Sequence, residues 1–257
     1  MKYEKYSSKI IKAPALIKDA KLFLSQYEDG ISIEENIERA IQYNIMGKSS
    51  RVFAKNIIKA FKERYIFSDE QDVALRRLIK SGVDQTVVDR ILYFYTAQAD
   101  PLVYDFVIDY IYELQSRGDI YITTEKAQKY IKKLSEEGKT TSNWSDIVCN
   151  RVARNILTTL RDFQILEGKI KKKIASVYLP TEAFVYIAYL IHQKEPTGDK
   201  IINHKDWKLF LLNAFTVERM FIEAHQYGYL TYNAAGSIIR IDFKQKNIEE
   251  VVDAIIQ

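Results

Sequence analysis

The chain is poor in the two residues that break regular structure. Glycine and proline together supply 13 of its 257 residues, less than half of the roughly 12% usual in globular proteins. An all-β fold needs frequent tight turns, and these draw on Gly and Pro for their special backbone angles. So few breakers predict a mainly α fold with long helices and few strands. Hydrophobic residues make up 47% of the chain and charged residues 28%, a balance that supports a packed core rather than disorder. The length suits one large domain or two to three small ones.

Residues 1–99 read as helices. Ile33, Ile37, Ile41 and Ile45 fall four apart and predict an apolar stripe over 33–46, one face of a 3.6-residue period. Gly47 ends that helix, and Ser49 or Ser50 caps the next, over 50–66, where Phe53, Ile57, Phe61 and Tyr65 form the buried face. Two further helices are expected over 70–81 and 84–98, the second capped by Asp84. Asp and Ser suit such positions because their side-chain oxygens accept the orphan N–H groups of a first turn.

From residue 100 the pattern changes. A helix opened by Pro101 and closed by Gly118 is followed by the β-rich run DIYIT, with Ile120 and Ile122 on one face. Thr123 or Thr124 then caps a helix ended by Gly138, and Asn143 or Ser145 caps the next, which runs to Phe163. Two short β segments follow around the lysine-rich tip KIKKK. This order predicts a winged helix-turn-helix over 100–180. It recurs over 181–257, with DKII as a short strand, HKDWKLFLLNAF and TVERMFIEAHQYG as second and third helices, a hairpin turning at Ala-Gly-Ser, and a last helix over 247–256. The expected architecture is an N-terminal helical domain over 1–99 followed by two winged-helix-like modules. Tyr93, Tyr95, Tyr186 and Tyr189 lie in strongly apolar helices and are expected in the core.

Nothing in the sequence marks catalysis. There is no phosphate-binding glycine loop, dinucleotide fingerprint, zinc-protease motif or nucleophile elbow. Gly47-Lys48-Ser49 mimics the end of a phosphate loop, but a helix leads into it where that motif needs a strand. The only cysteine, Cys149, sits in a helical apolar pattern and reads as core; His192, His204 and His225 are scattered without ligand spacing. Asp105 and Asp109 share a helix face as ordinary solvated carboxylates. No metal, cofactor or catalytic residue is therefore expected. The first residues hold no apolar run of signal-peptide length, and residues 174–193, though rich in apolar side chains, are interrupted by Pro180. They read as a strand, a break and a buried helix, and the protein is expected in the cytoplasm without a membrane span.

The basic residues carry more. Between Lys126 and Lys173 there are 12 Lys and Arg against 5 Asp and Glu, whereas the whole chain has a net charge of +4. In a winged helix the third helix meets base edges and the wing lies along the backbone. Asn143, Asn150, Arg151 and Arg154 are candidates for the helix, with Ser145 and Thr158 beside them; Lys139, Thr140 and Ser142 suit phosphates at its approach, and Lys169, Lys171, Lys172 and Lys173 suit phosphates at the wing. A lysine-rich tip reads equally as a solubilising device. A second candidate patch runs along 48–62 through Lys48, Ser49, Arg51, Lys55, Lys59 and Lys62, with a solvated helix face as its alternative. Residues 181–257 carry 8 basic against 10 acidic residues, which suits protein contact better than DNA.

The segment Asn44–Tyr65, NIMGKSSRVFAKNIIKAFKERY, resembles the N-terminal pattern of BrxA proteins, components of the BREX bacteriophage-defence systems, with Lys48, Ser49, Arg51 and Arg64 matching. The opening YSSKIIKAPALIKDAKLFL and the helix begun by Trp144-Ser145 and ended over Leu160–Leu166 are similar again. The resemblance implies a non-enzymatic, mainly helical protein that binds double-stranded DNA beside the other proteins of a BREX-type system. The alternative is an adaptor of that system with no direct role on DNA.

Overall fold

A computed structural model describes residues 5–66, 69–195, 197–236 and 238–257. Its helices are α1 (Ile17–Ser25), α2 (Ile33–Gln42), α3 (Arg51–Tyr65), α4 (Asp69–Lys80) and α5 (Gln85–Ala99), then α6 (Pro101–Asp105), which runs through a π-helical stretch (Phe106–Ile111) into α7 (Tyr112–Ser116). Next come β1 (Tyr121–Ile122), α8 (Thr124–Glu136), α9 (Asp146–Asp162), β2 (Leu166–Glu167) and β3 (Lys172–Ile174). The chain closes with α10 (Thr181–His192), α11 (Gly198–Ile202), a 3-10 segment (Lys205–Phe210), α12 (Ala214–Gln226), β4 (Leu230–Ala235), β5 (Ile238–Phe243) and α13 (Ile248–Ile256).

The expected caps are present. Asp84 accepts from the Thr86 N–H at 2.7 Å, Thr123 from Lys126 at 3.2 Å, and Ser50 and Ser145 from Phe53 and Val148, each at 3.4 Å. Ser32 and Glu35 add a reciprocal capping box at the start of α2, worth about 1 kcal/mol. The helix expected over 33–46 stops at Gln42 because Asn44 and Gly47 both take positive φ.

Two helices are apolar on every side. α10 buries every residue from Ala183 to Ile191, and α5 buries its run from Arg90 to Ala97. Such helices are stable only when enclosed. They pack against each other, with α3 on α5 and with α11, α12 and α13 around α10. The Tyr95 and Tyr186 hydroxyls meet at 2.8 Å in this interface, and Tyr93 donates to the Leu209 carbonyl at 3.0 Å. All four core tyrosines are buried as expected. The last helix, α13, returns to α4, and no helix of the described residues is long and apolar enough to cross a membrane.

Antiparallel β1, β3 and β2 form a sheet in the order β1-β3-β2, with Tyr121 opposite Lys173 and Leu166 opposite Ile174. Ile122 is buried, but Ile120 precedes the strand and is exposed, against the expectation that both share one face. The turn between α8 and α9 is held by a polar cluster. Ser135, buried, accepts from the Trp144 N–H at 2.8 Å, lies 3.2 Å from the Thr140 hydroxyl, and lies 3.4 Å from Asn143 Oδ1. The N-terminal strand-like segment straps this turn: Tyr6 N–H donates to the Lys139 carbonyl and Thr141 N–H to the Tyr6 carbonyl, both at 2.9 Å. The Tyr6 hydroxyl donates to Asp105 at 2.6 Å, so Asp105 anchors the strap rather than simply facing water.

The C-terminal part departs from expectation. DKII is not a strand but lies in α11, and within HKDWKLFLLNAF a 3-10 segment is stopped where Leu211 adopts φ 59°, with Ala214 and Phe215 already opening α12. The sheet there has two strands, β4 and β5. Gly198 explains the helix's position. A Cβ there would lie 2.4 Å from the Ile239 carbonyl oxygen, so α11 sits directly on β5 because the residue has no side chain. Of the expected Ala-Gly-Ser turn, Ser237 lies outside the described residues.

Gly198→Ala is expected to destabilise the protein by about 1–3 kcal/mol, since backbone must move to admit the methyl group; urea unfolding measures it. Ser135→Ala is expected to cost about 1–3 kcal/mol by leaving the buried Trp144 N–H without its acceptor, and amide exchange at Trp144 should rise in that variant.

Candidate nucleic-acid interface

α9 buries Cys149, Val152, Ala153, Ile156 and Leu160, a stripe at helical spacing that fixes which side chains face water. The opposite face carries Ile147, Arg151, Arg154, Asn155 and Thr158. Arg151, Arg154, Asn155 and Thr158 line a shallow depression of about 280 Å³. Both arginines are exposed. Asn155 donates to the Arg151 carbonyl at 2.8 Å, and Ile147 is 74% exposed in the first turn. Asn155 and Ile147 are additions to the expected set. The signal for both was their phase, each four residues from Arg151 and off the buried stripe.

The charge partners decide which cations are open. Lys129 pairs with Glu125 at 2.9 Å, Lys132 with Asp146 at 2.8 Å, Lys139 with Glu137 at 2.7 Å, Arg161 with Asp162 at 2.6 Å and Lys173 with Glu167 at 3.2 Å. Lys133 lies 3.8 Å from Glu137, and the Lys171 ammonium sits 4.1 Å above the Tyr121 ring. Among the described residues, Arg151, Arg154, Lys126 and Lys169 have neither a carboxylate partner nor an aromatic one. Ion pairs in water contribute only about 0–1 kcal/mol, so the paired lysines remain exchangeable, while the arginines have no partner to give up.

Lys172 departs from the expected phosphate-facing role. Its side chain is 7% exposed and donates to the Lys169 carbonyl at 3.0 Å. Burial lowers its pKa, and the charges of Arg161 and Arg154 lower it further. The hairpin lies beside α9, on which β2 packs. Thr140 is buried and donates to the Ser142 carbonyl at 2.7 Å, so its hydroxyl is not open to a phosphate. Asn150 donates to Gln128 at 2.8 Å across α8 and α9. Asn143 takes part in the Ser135 cluster, Ser145 is used as a cap, and Ser142 stands exposed at the turn.

The second patch is thinner than its sequence suggests. Lys48 is paired with Asp19 at 2.8 Å and Lys62 with Glu34 at 3.2 Å, which leaves Arg51, Lys55 and Lys59, among the described residues, without a carboxylate in ion-pair distance on an exposed face beside Ser49. Phe53, expected in the core, is 45% exposed, and the buried position of that first turn is Ala54. Arg64 is structural: buried, it donates to the Pro14 carbonyl at 2.7 Å and to the Ala13 carbonyl.

Cys149 is buried, its thiol 3.7 Å from the Trp144 carbonyl, and burial raises its pKa, opposite to what a reactive thiolate requires. Among the described residues no group of His, Cys, Asp and Glu is placed to hold a metal ion.

A crystal structure of an uncharacterized protein from Magnetospirillum magneticum has a similar fold, with a TM-score of 0.62 at 13% identity over 80% of this chain and 98% of that one. No curated protein matches the sequence. A sequence model of the BrxA family matches residues 4–190, which takes in the strap, the polar turn, the arginine face of α9 and the hairpin. The chain belongs to the BrxA family, and so to the proteins of BREX bacteriophage-defence systems.

Proposed function

We propose that the protein binds double-stranded DNA without catalysing a reaction, as a cytoplasmic component of a BREX-type complex, and that α8, α9 and the β2–β3 hairpin act as a winged helix-turn-helix. The observation that carries this reading is the stripe on α9. Arg151 and Arg154 stand open, unpaired and next to polar Asn155 and Thr158, with a basic hairpin alongside. The order β1, α8, α9, β2, β3 and the sheet order β1-β3-β2 suit that assignment, with α9 in the major groove and its flanking turn and hairpin on phosphates. Most of the binding energy then comes from the backbone, with Arg154 the best placed to reach a guanine edge.

Fluorescence anisotropy with a labelled duplex tests this. Engagement of about six phosphates gives a log–log salt slope near −5, each contributing about −0.9. Arg151→Ala with Arg154→Ala is expected to weaken binding at least ~10-fold, about 1.4 kcal/mol, whereas Arg51→Ala with Lys55→Ala and Lys59→Ala changes it little. Loss of binding in the α3 variant alone would move the site to the second patch. Binding that is absent at low salt, or indifferent to salt, would remove the DNA reading.

A second reading, an adaptor for other proteins of the same system, is favoured by one observation. Val177, Tyr178, Leu179, Leu212, Met220 and Ile222 line a groove of about 650 Å³ along α12, and Phe215 and Tyr227 stand exposed near its ends. Phe215→Ser with Ile222→Ser is expected to leave DNA affinity unchanged and to reduce co-purification with the other BREX proteins. A protein whose co-purification depends on this face but that binds no duplex is an adaptor.

A further inference from the structure

The tip of the β2–β3 hairpin is built to present one apolar side chain. Gly168 adopts φ +88°, and a Cβ there would lie 2.6 Å from the Lys171 carbonyl oxygen, so the turn closes more tightly than any other residue allows. The buried Lys172 ammonium holds the Lys169 carbonyl at 3.0 Å from within. Lys171 is laid over the Tyr121 ring at 4.1 Å, and Lys173 is drawn to Glu167 at 3.2 Å. Three of the four lysines that make this tip basic are therefore held by contacts within the hairpin and its sheet, Lys172 from inside the turn and Lys171 and Lys173 against the strands. The residue left outermost is Ile170, 94% exposed, the highest value among the exposed large hydrophobic residues described.

A lone exposed apolar residue is ordinary. The setting of Ile170 is not: a turn pinned by three separate contacts, cations on both sides, and a strand, β2, packed on α9. A hairpin that only clamps phosphate has use for an ammonium at its outermost point, and here an ammonium at that end of the hairpin is instead folded inward. Apolar side chains carried by cationic elements can enter the minor groove and part a base step, bending the duplex away from the insertion.

Resting on the DNA-binding reading above, we propose that Ile170 is the positioning residue of the wing, inserting into the minor groove and wedging a base step so that the bound duplex is kinked. Insertion favours flexible pyrimidine–purine steps, where unstacking costs least.

The test compares wild type with Ile170→Ala and Ile170→Lys on an end-labelled duplex of roughly 30 base pairs, reading affinity by anisotropy and bending by energy transfer between the ends. Wild type should shorten the end-to-end distance, and both variants should lose most of that change. Ile170→Lys is the decisive arm, because it adds a positive charge. A purely electrostatic tip predicts tighter binding, while a wedge predicts binding weaker by about three- to tenfold. Both variants should melt like wild type, since the side chain packs on nothing. A wild type that binds without bending, or an Ile170→Lys variant that binds as tightly or more tightly with the same bend, overturns this proposal and leaves DNA binding intact. A wild type that binds no duplex removes both.

Discussion

The enclosure of α5 and α10 is the constraint on which the other placements depend. Neither helix has a polar face, so neither has a stable position at the surface, and the rest of the chain is wrapped around the pair. Enclosure also dictates what their few polar groups must do. Arg90, buried on α5, directs its guanidinium at the Phe163 carbonyl at 2.6 Å and the Tyr178 carbonyl at 2.7 Å. Burial lowers its pKa, yet a guanidinium stays charged in a protein, so these carbonyls offset a desolvation cost that water would otherwise relieve. Phe163 follows the last turn of α9 and Tyr178 lies between β3 and α10. The buried pair thus fixes the far end of α9, while the strap through Tyr6 and the Ser135 cluster fix its near end.

Held at both ends, α9 has no freedom in which face it shows. Its arginines face water because the stripe opposite them is filled, and they lack partners because acidic residues nearby are engaged by other cations: Asp146 by Lys132, Glu137 by Lys139 and Asp162 by Arg161. Local charge is a poor guide to open charge. The stretch from Lys126 to Lys173 is strongly basic in sequence, but its pairing concentrates the unopposed cations at Arg151, Arg154, Lys126 and Lys169. The same reasoning reduces the α3 patch, where Lys48 and Lys62 are paired with residues far away in sequence.

Much of the helical framework was legible because it is local. The cap at Asp84 follows from spacing alone, and the caps of α8 and α9 narrow to Thr123 or Thr124 and to Asn143 or Ser145. The apolar stripe of α3 holds at Ile57, Phe61 and Tyr65, and the DIYIT and lysine-tip segments were placed close to where β1, β2 and β3 lie. What was not legible depends on packing between distant segments. DKII is short and holds two β-branched residues, so it suits a strand or a helical turn equally; only the contact between Gly198 and Ile239 decides. Lys172 reads as one lysine among four until the pleat turns it inward, with Lys173 outward and Ile174 inward again. Ser135 looks like a surface serine on an amphipathic helix, and its role exists only once Thr140, Asn143 and Trp144 fold back onto it. Ile147, Ile170 and Phe53 show the converse, since an apolar residue reads as core until its neighbours turn out to be solvent.

The central claim is that the arginine face of α9 and the adjoining hairpin receive the nucleic acid. Hydrogen–deuterium exchange of the intact protein, with and without a saturating duplex, tests it without altering a residue. Protection should appear over 140–151 and 166–173, where backbone amides at the turn, the first turns of α9 and the hairpin are covered, while α3 and α12 exchange unchanged. Protection confined to α3, or a map with no change anywhere at a duplex concentration that saturates binding by anisotropy, would contradict it.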